Sequence, residues 1–138
     1  MLNRIVIAIT LFLSLSGCAM RPVLVAAFSS KKANEDTKIA VYIKKDDAVS
    51  IKNRQIYFSL SVVNCGSRSN RFPLEAYIAG RRISEFDFPT SSEYVIIYGY
   101  IPDNIFKKYN NPCVYIKGSA YFGSNILSNT IPIRPGHG

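Results

Sequence analysis

Residues 56–64 read Ile56-Tyr57-Phe58-Ser59-Leu60-Ser61-Val62-Val63-Asn64, and their alternation decides the fold class. Ile56, Phe58, Leu60 and Val62 share one side, while Tyr57, Ser59, Ser61 and Val63 take the other. A period of two in β-branched and aromatic residues is the pattern of a half-buried antiparallel strand. Cys65-Gly66-Ser67 supplies the turn that ends it.

The segments on either side follow the same grammar. Ile39, Val41 and Ile43 alternate with Ala40 and Tyr42 until Lys44-Lys45-Asp46-Asp47 breaks the run. Phe72 to Ile78 begins another strand, which Pro73 restricts to an edge or a strand start because proline has no ladder donor. Ala79-Gly80 is a tight-turn signal, so Leu74 to Ile83 reads as a hairpin. After a connection from Phe86 to Ser92, Tyr94 to Ile101 is apolar on both sides, which predicts a central strand. Pro102 to Tyr109 opens with proline and an acid and closes with lysines, as a helix of one or two turns would. It is the one helix expected after the N-terminal segment. Cys113 to Phe122 and Ile126 to Ile133 complete the set. Short strands between turn signals predict an all-β fold: an antiparallel two-sheet sandwich over residues 38–138 with one short helix.

The N-terminus is of another kind. Met1-Leu2-Asn3-Arg4 is a short basic start, followed by an apolar run from Ile5 to Leu15 and then Leu15-Ser16-Gly17-Cys18. The run is shorter than the roughly 20 residues a membrane-spanning helix needs. Residues 1–18 resemble the type II signal peptide of bacterial lipoproteins, with Leu15-Ser16-Gly17-Cys18 as the lipobox. The resemblance implies cleavage after Gly17, a diacylglycerol on the Cys18 thiol and acylation, such as palmitate, of the new amino terminus. It makes residues 1–17 a cleaved signal peptide. Ala19, where an inner-membrane retention signal would place Asp, implies the outer membrane, facing the periplasm or the cell surface. Residues 18–37 then form the lipidated N-terminus and a tether or edge strand. Within them Val23 to Phe28 is more apolar than a flexible tether, and reads either as an early edge strand or as a segment resting near the membrane. Ser29 to Thr37 is the better linker.

Removing residues 1–17 leaves 121 of the 138 residues, enough for one domain and one core. The formal charge of +8 falls to +7 once Arg4 leaves with the signal. In an exported protein such a charge points to anionic lipid, glycan or acidic protein rather than nucleic acid. With Cys18 assigned to lipid, Cys65 and Cys113 remain as a pair in a compartment where disulfides persist. Two cysteines and a single histidine, His137, make neither a zinc site nor a Cys-x-x-C pair, so no metal and no cofactor is expected.

The order of strands, turns and hairpin from Ile56 to Ile133 is also similar to bacterial immunoglobulin-like adhesion-related domains. The similarity is carried by Asn64-Cys65-Gly66, Tyr77-Ile78-Ala79-Gly80 and Tyr94 to Ile101. The cysteine pair and the helix between strands depart from that pattern. The resemblance implies a fold and no activity.

Catalytic constellations are missing from the sequence. His137 sits in a Pro-Gly tail unsuited to a rigid general base. Glu85 and Asp87, two apart on one strand face, read as a solvated edge rather than carboxylates across a cleft. A non-enzymatic chain is therefore expected. Two features remain for binding. Basic residues recur at Lys31-Lys32, Lys44-Lys45, Arg81-Arg82 and Lys107-Lys108, with Arg68 and Arg71 in one loop. A Cys65–Cys113 bridge would draw that loop toward the helix, which singles out Arg68, Arg71, Lys107 and Lys108 as a partner-binding patch. The other feature is tyrosine: Tyr98, Tyr100, Tyr115 and Tyr121 lie on strands, where they suit both a core margin and a recognition face. The function expected is that of a membrane-anchored envelope lipoprotein whose sandwich is a protein-interaction or assembly module. The alternatives are binding of an anionic glycan or lipid, and inhibition of an envelope-directed hydrolase.

Overall fold

The computed structural model describes residues 20–31, 36–53, 57–78, 81, 93–119 and 125–136. The lipobox with Cys18, the acids Glu85 and Asp87, Tyr121 and His137 lie outside them. The elements are β1 (Leu24–Ser30), β2 (Thr37–Lys44), α1 (Lys45–Asn53), β3 (Tyr57–Asn64), β4 (Phe72–Glu75), β5 (Tyr94–Ile101), α2 (Asp103–Phe106), β6 (Pro112–Ser119), β7 (Asn125–Leu127), β8 (Ile131–Pro132) and β9 (Arg134–Pro135). Strands form two sheets, β5-β2-β1-β9 and β4-β3-β6-β7, with β8 also paired to β6. The fold is the all-β, two-sheet sandwich expected of the alternation.

Its core lies between the sheets. Ile39, Val41 and Ile43 of β2 and Val95, Ile97 and Ile101 of β5 meet Leu60 and Val62 of β3 and Val114 and Ile116 of β6, all 5 % exposed or less. Burying each such side chain is worth roughly 1.5–3 kcal/mol, so this layer is the main source of stability. Val63, Cys113 and Tyr115 make a second buried cluster on the outer face of the five-stranded sheet, joined by Cys65. One end of β3 and β6 is thus covered on both faces, and Ser61 is buried with it.

Cys65 and Cys113 form a disulfide, with Cα atoms 5.0 Å apart. The antiparallel register puts Val63 opposite Cys113 and Asn64 opposite Pro112, so the chain leaving β3 passes the start of β6. The turn closes with Ser67 N–H donating to Asn64 O, and Gly66 takes φ +81, a conformation open to glycine at little cost.

Four segments differ from their sequence reading. The break expected at Lys44 to Asp47 opens a helix that runs from Lys45 to Asn53: Asp46 and Asp47 sit in its first turn, Lys52 in its last, and Ala48 and Ile51 alone are buried. With two anchors three residues apart, the helical period is too short to stand out. The segment Val23 to Phe28 contributes β1, which has β2 along one side and β9 along the other at Phe28 and Ser29. A bulge at Val25 shifts its phase, so that Leu24 and Ala27 both face inward, and this hides the alternation. Tyr94 to Ile101 is not central: β5 ends its sheet, and among the described residues only the Tyr77–Tyr98 bridge lies beyond it. Its burial alternates strictly, so its outward apolar side chains face solvent rather than a second core. Finally, Ile126 to Ile133 is not one strand. β7 leaves the ladder at Ser128, whose Oγ accepts the Ile116 N–H at 2.7 Å, and the chain goes on through β8 to β9, parallel to β1 in the other sheet.

Pro73 lies on the edge strand β4. Ile78 and Arg81 exchange both backbone hydrogen bonds, but the hairpin expected from Leu74 to Ile83 is not continuous: β4 stops at Glu75 and pairs with β3, and residues 79–80 and 82–83 lie outside the described residues. The short helix after Pro102 is α2.

Candidate binding surfaces

The four cations singled out from the sequence belong to loops that do meet. Cys65 N–H donates to Asn111 O at 2.8 Å, and the Tyr109 hydroxyl donates to Asn70 O at 2.6 Å, tying the loop after β3 to the segment after α2. Their side chains, however, have different partners. The Arg68 guanidinium lies 4.4 Å from the centroid of the buried Tyr115 ring, and Arg71 Nη1 donates to Ser61 Oγ at 3.2 Å. Both arginines therefore lie on the outer face of the five-stranded sheet. Lys107 instead pairs with Asp103 at 2.9 Å, beside Lys31 at 2.8 Å. Lys108 is exposed.

Asp103 ties α2 to the four-stranded sheet. Its Oδ1 accepts from Thr37 Oγ1 at 3.1 Å, while Lys31 and Lys107 share Oδ2. Hydrogen bonds from Lys31 first and Lys107 second hold its carboxyl at about 2, below the usual 3.8. Two ammonium groups share one carboxylate, so the corner stays net positive, but Lys31 and Lys107 are both already engaged by Asp103.

Further along the outer face of the five-stranded sheet is an open hollow of about 370 Å³, lined by Tyr57, Ser59, Arg71, Lys117, Ser119 and Asn125 among others. Tyr57 is 75 % exposed. Register aligns Tyr57, Ser119 and Asn125 in one row and Ser59, Lys117 and Leu127 in the next. Glu75, opposite Ser59, is the single carboxylate on these five strands.

The outer face of the four-stranded sheet is different in character. Phe28 and Ala26 of β1, Lys38, Ala40, Tyr42 and Lys44 of β2, and Tyr94, Ile96, Tyr98 and Tyr100 of β5 fall in register on that side. Phe28 stands edge-on to Tyr42 at 6.0 Å, Tyr98 edge-on to Tyr100 at 5.8 Å, and Lys38 Nζ lies 4.3 Å from the Tyr98 centroid. Ile96 and Tyr100 are 43 % and 50 % exposed. The strand tyrosines thus divide: Tyr98 and Tyr100 face solvent, while Tyr115 is buried under Arg68. Sequence reasoning missed Phe28, Tyr42 and Ile96 here. The repeat of aromatics at 94, 98 and 100 was the available signal, but the bulge in β1 concealed Phe28.

Among the described residues, no three His, Cys, Asp or Glu side chains group as a metal site, and no helix is long and apolar enough to cross a membrane. No family model, curated protein or solved structure matches the chain.

Proposed function

We propose that the protein is an envelope lipoprotein, anchored through lipid on Cys18, whose sandwich is a protein-interaction module. The observation that carries this reading is the aromatic outer face of the four-stranded sheet. Soluble domains rarely leave a contiguous row of large apolar side chains in water unless a partner covers it. Tyrosine suits such a face, since its ring offers contact area and its hydroxyl a hydrogen bond. Lys38, Lys44 and Arg134 stand on the same face, so the partner is a protein with an apolar centre and acidic rim. A second copy of this chain would set those cations against one another.

The test has two parts. Wild type should incorporate labelled palmitate and fractionate with membranes, while Cys18→Ser should do neither. A photo-crosslinker at Tyr100 in intact cells should give one discrete adduct, which Ile96→Asp abolishes with unchanged thermal stability. Crosslinking that survives Ile96→Asp would refute the assignment of the face.

A further inference from the structure

Lipoproteins are commonly pictured on a leash, but this chain is tied to its own fold almost at the anchor. Met20 N–H donates to Asn125 O at 3.1 Å, and Leu127 N–H donates to Met20 O at 3.2 Å. Met20 thereby extends the five-stranded sheet beyond β7, in parallel pairing with Ile126. Pro22 is buried, and Val23 N–H donates to Asp47 Oδ2 at 3.1 Å, so the following residues are held as well. Cys18 precedes Met20 by two residues, and two trans peptide units span at most about 7.6 Å. If Cys18 carries lipid, that covalent reach keeps the attachment point near the β7 edge.

The parallel pairing fixes which end of that edge this is. The chain reaches Met20 from the end of β7 at which Asn125 stands, and Asn125 shares its row with Ser119 and Tyr57. That row borders the hollow containing Arg71 and Lys117. An exposed tyrosine, two cations on long apolar stems, two serine hydroxyls and an asparagine amide are the side chains that the headgroup layer accommodates. Leu127, 42 % exposed in the adjoining row, adds an apolar contact.

We propose that this hollow seats the anionic headgroup of a phospholipid in the leaflet that holds the anchor. The sandwich then lies on the membrane by the outer face of its five-stranded sheet, with the aromatic face of the other sheet turned away. The location of the anchor rests on the lipidation reading; the headgroup site stands on Tyr57, Arg71 and Lys117 themselves.

The chain contains no tryptophan, which makes a direct test available. Tyr57→Trp and Tyr100→Trp each place a single fluorophore on one outer face. Full-length protein extracted from membranes is reconstituted into phosphatidylglycerol–phosphatidylethanolamine vesicles carrying lipids brominated near the carbonyl. Emission from Tyr57→Trp should be blue-shifted and quenched at least about twofold more than that from Tyr100→Trp. Adding Lys117→Glu, an exposed substitution, should reduce that quenching, as should replacing the anionic lipid with phosphatidylcholine. Equal quenching at both positions, or stronger quenching at Tyr100→Trp, overturns the proposal; so does indifference to both Lys117→Glu and lipid charge. The intact mass of the same sample reports the anchor separately. If Cys18 carries no lipid, the anchoring reading fails, and sedimentation with the anionic vesicles then decides the headgroup site. Binding lost in Lys117→Glu sustains the site, and binding that is absent or unchanged refutes it.

Discussion

Asn129 stands between the two sheets, and its replacement is the most informative single change for the fold. Its Oδ1 accepts the Leu24 N–H at 2.7 Å while its Nδ2 donates to Leu24 O at 3.1 Å, so one side-chain amide satisfies both backbone groups of the first residue of β1. It acts there as a strand neighbour, from the connection where the chain passes from β7 to β8. Asn129→Ala removes both bonds. Each net bond is worth about 1 kcal/mol, and a buried group left without a partner costs about 1–3 kcal/mol. Leu24 is 3 % exposed but Asn129 itself is open to water, so solvent recovers part of that cost. The expected loss is about 2 kcal/mol, which for a domain of this size lowers Tm by roughly 8 °C. Thermal unfolding followed by circular dichroism measures it directly. Asn129→Asp supplies the control, because a carboxylate still accepts from the Leu24 N–H but turns its second oxygen on the Leu24 carbonyl. It should be no more stable than Asn129→Ala at neutral pH. A Tm within about 2 °C of wild type for Asn129→Ala would show that the two sheets do not depend on this amide.

Two further outcomes follow from the same contacts. Breaking the Cys65–Cys113 bridge with paired alanines opens a loop of sequence separation 48 and should cost about 4 kcal/mol, read as a fall in the denaturant midpoint with two fewer cysteines in the mass. Asp103 has a folded pKa of about 2 against an ordinary 3.8, so its contribution is complete above the ordinary value and is lost as pH falls toward 2. Asp103→Asn should accordingly flatten the decline of stability in that acid window; an unchanged slope would refute the role of Lys31 and Lys107.

The parts of the fold that were legible in the sequence are those in which burial and side-chain period coincide. β3 announced itself because its Leu60 and Val62 face the core while Tyr57 and Ser59 do not, and the cysteine pair was readable because β3 ends where β6 begins. What escaped was local geometry that breaks a period. The Val25 bulge put two apolar residues in a row on the outside of β1, and α1 buries only Ala48 and Ile51. For β5, sequence alone could not separate an apolar residue covered by a second layer from one left in water. Ile96 and Tyr100 look central and are exposed, which is the property that makes them candidates for recognition.

The same ambiguity governs the arginines, and there the structure changes how they should be used. Arg68 is an exposed cation by position, yet its guanidinium lies across Tyr115, which is 2 % exposed on a sheet face that would otherwise be open. A cation over a tyrosine ring adds roughly 0.5–1 kcal/mol at an exposed site, and the arginine stem shields apolar surface besides. Reversing the charge at Arg68 therefore uncovers Tyr115, and a loss of binding in that variant would not separate recognition from stability. Arg71 is half committed in the same way through Ser61. Lys117 lies two residues further along β6 on the same face, past the covered end and inside the hollow. The outer face of the five-stranded sheet is thus divided along its length, with the disulfide, Arg68 and Tyr115 holding structure at one end. Tyr57 and Lys117 are left open at the other, beside Asn125 and the point where Met20 joins the sheet. Substitutions at Lys117 report on binding because its side chain is exposed at the open end of the sheet; those at Arg68 report first on the fold.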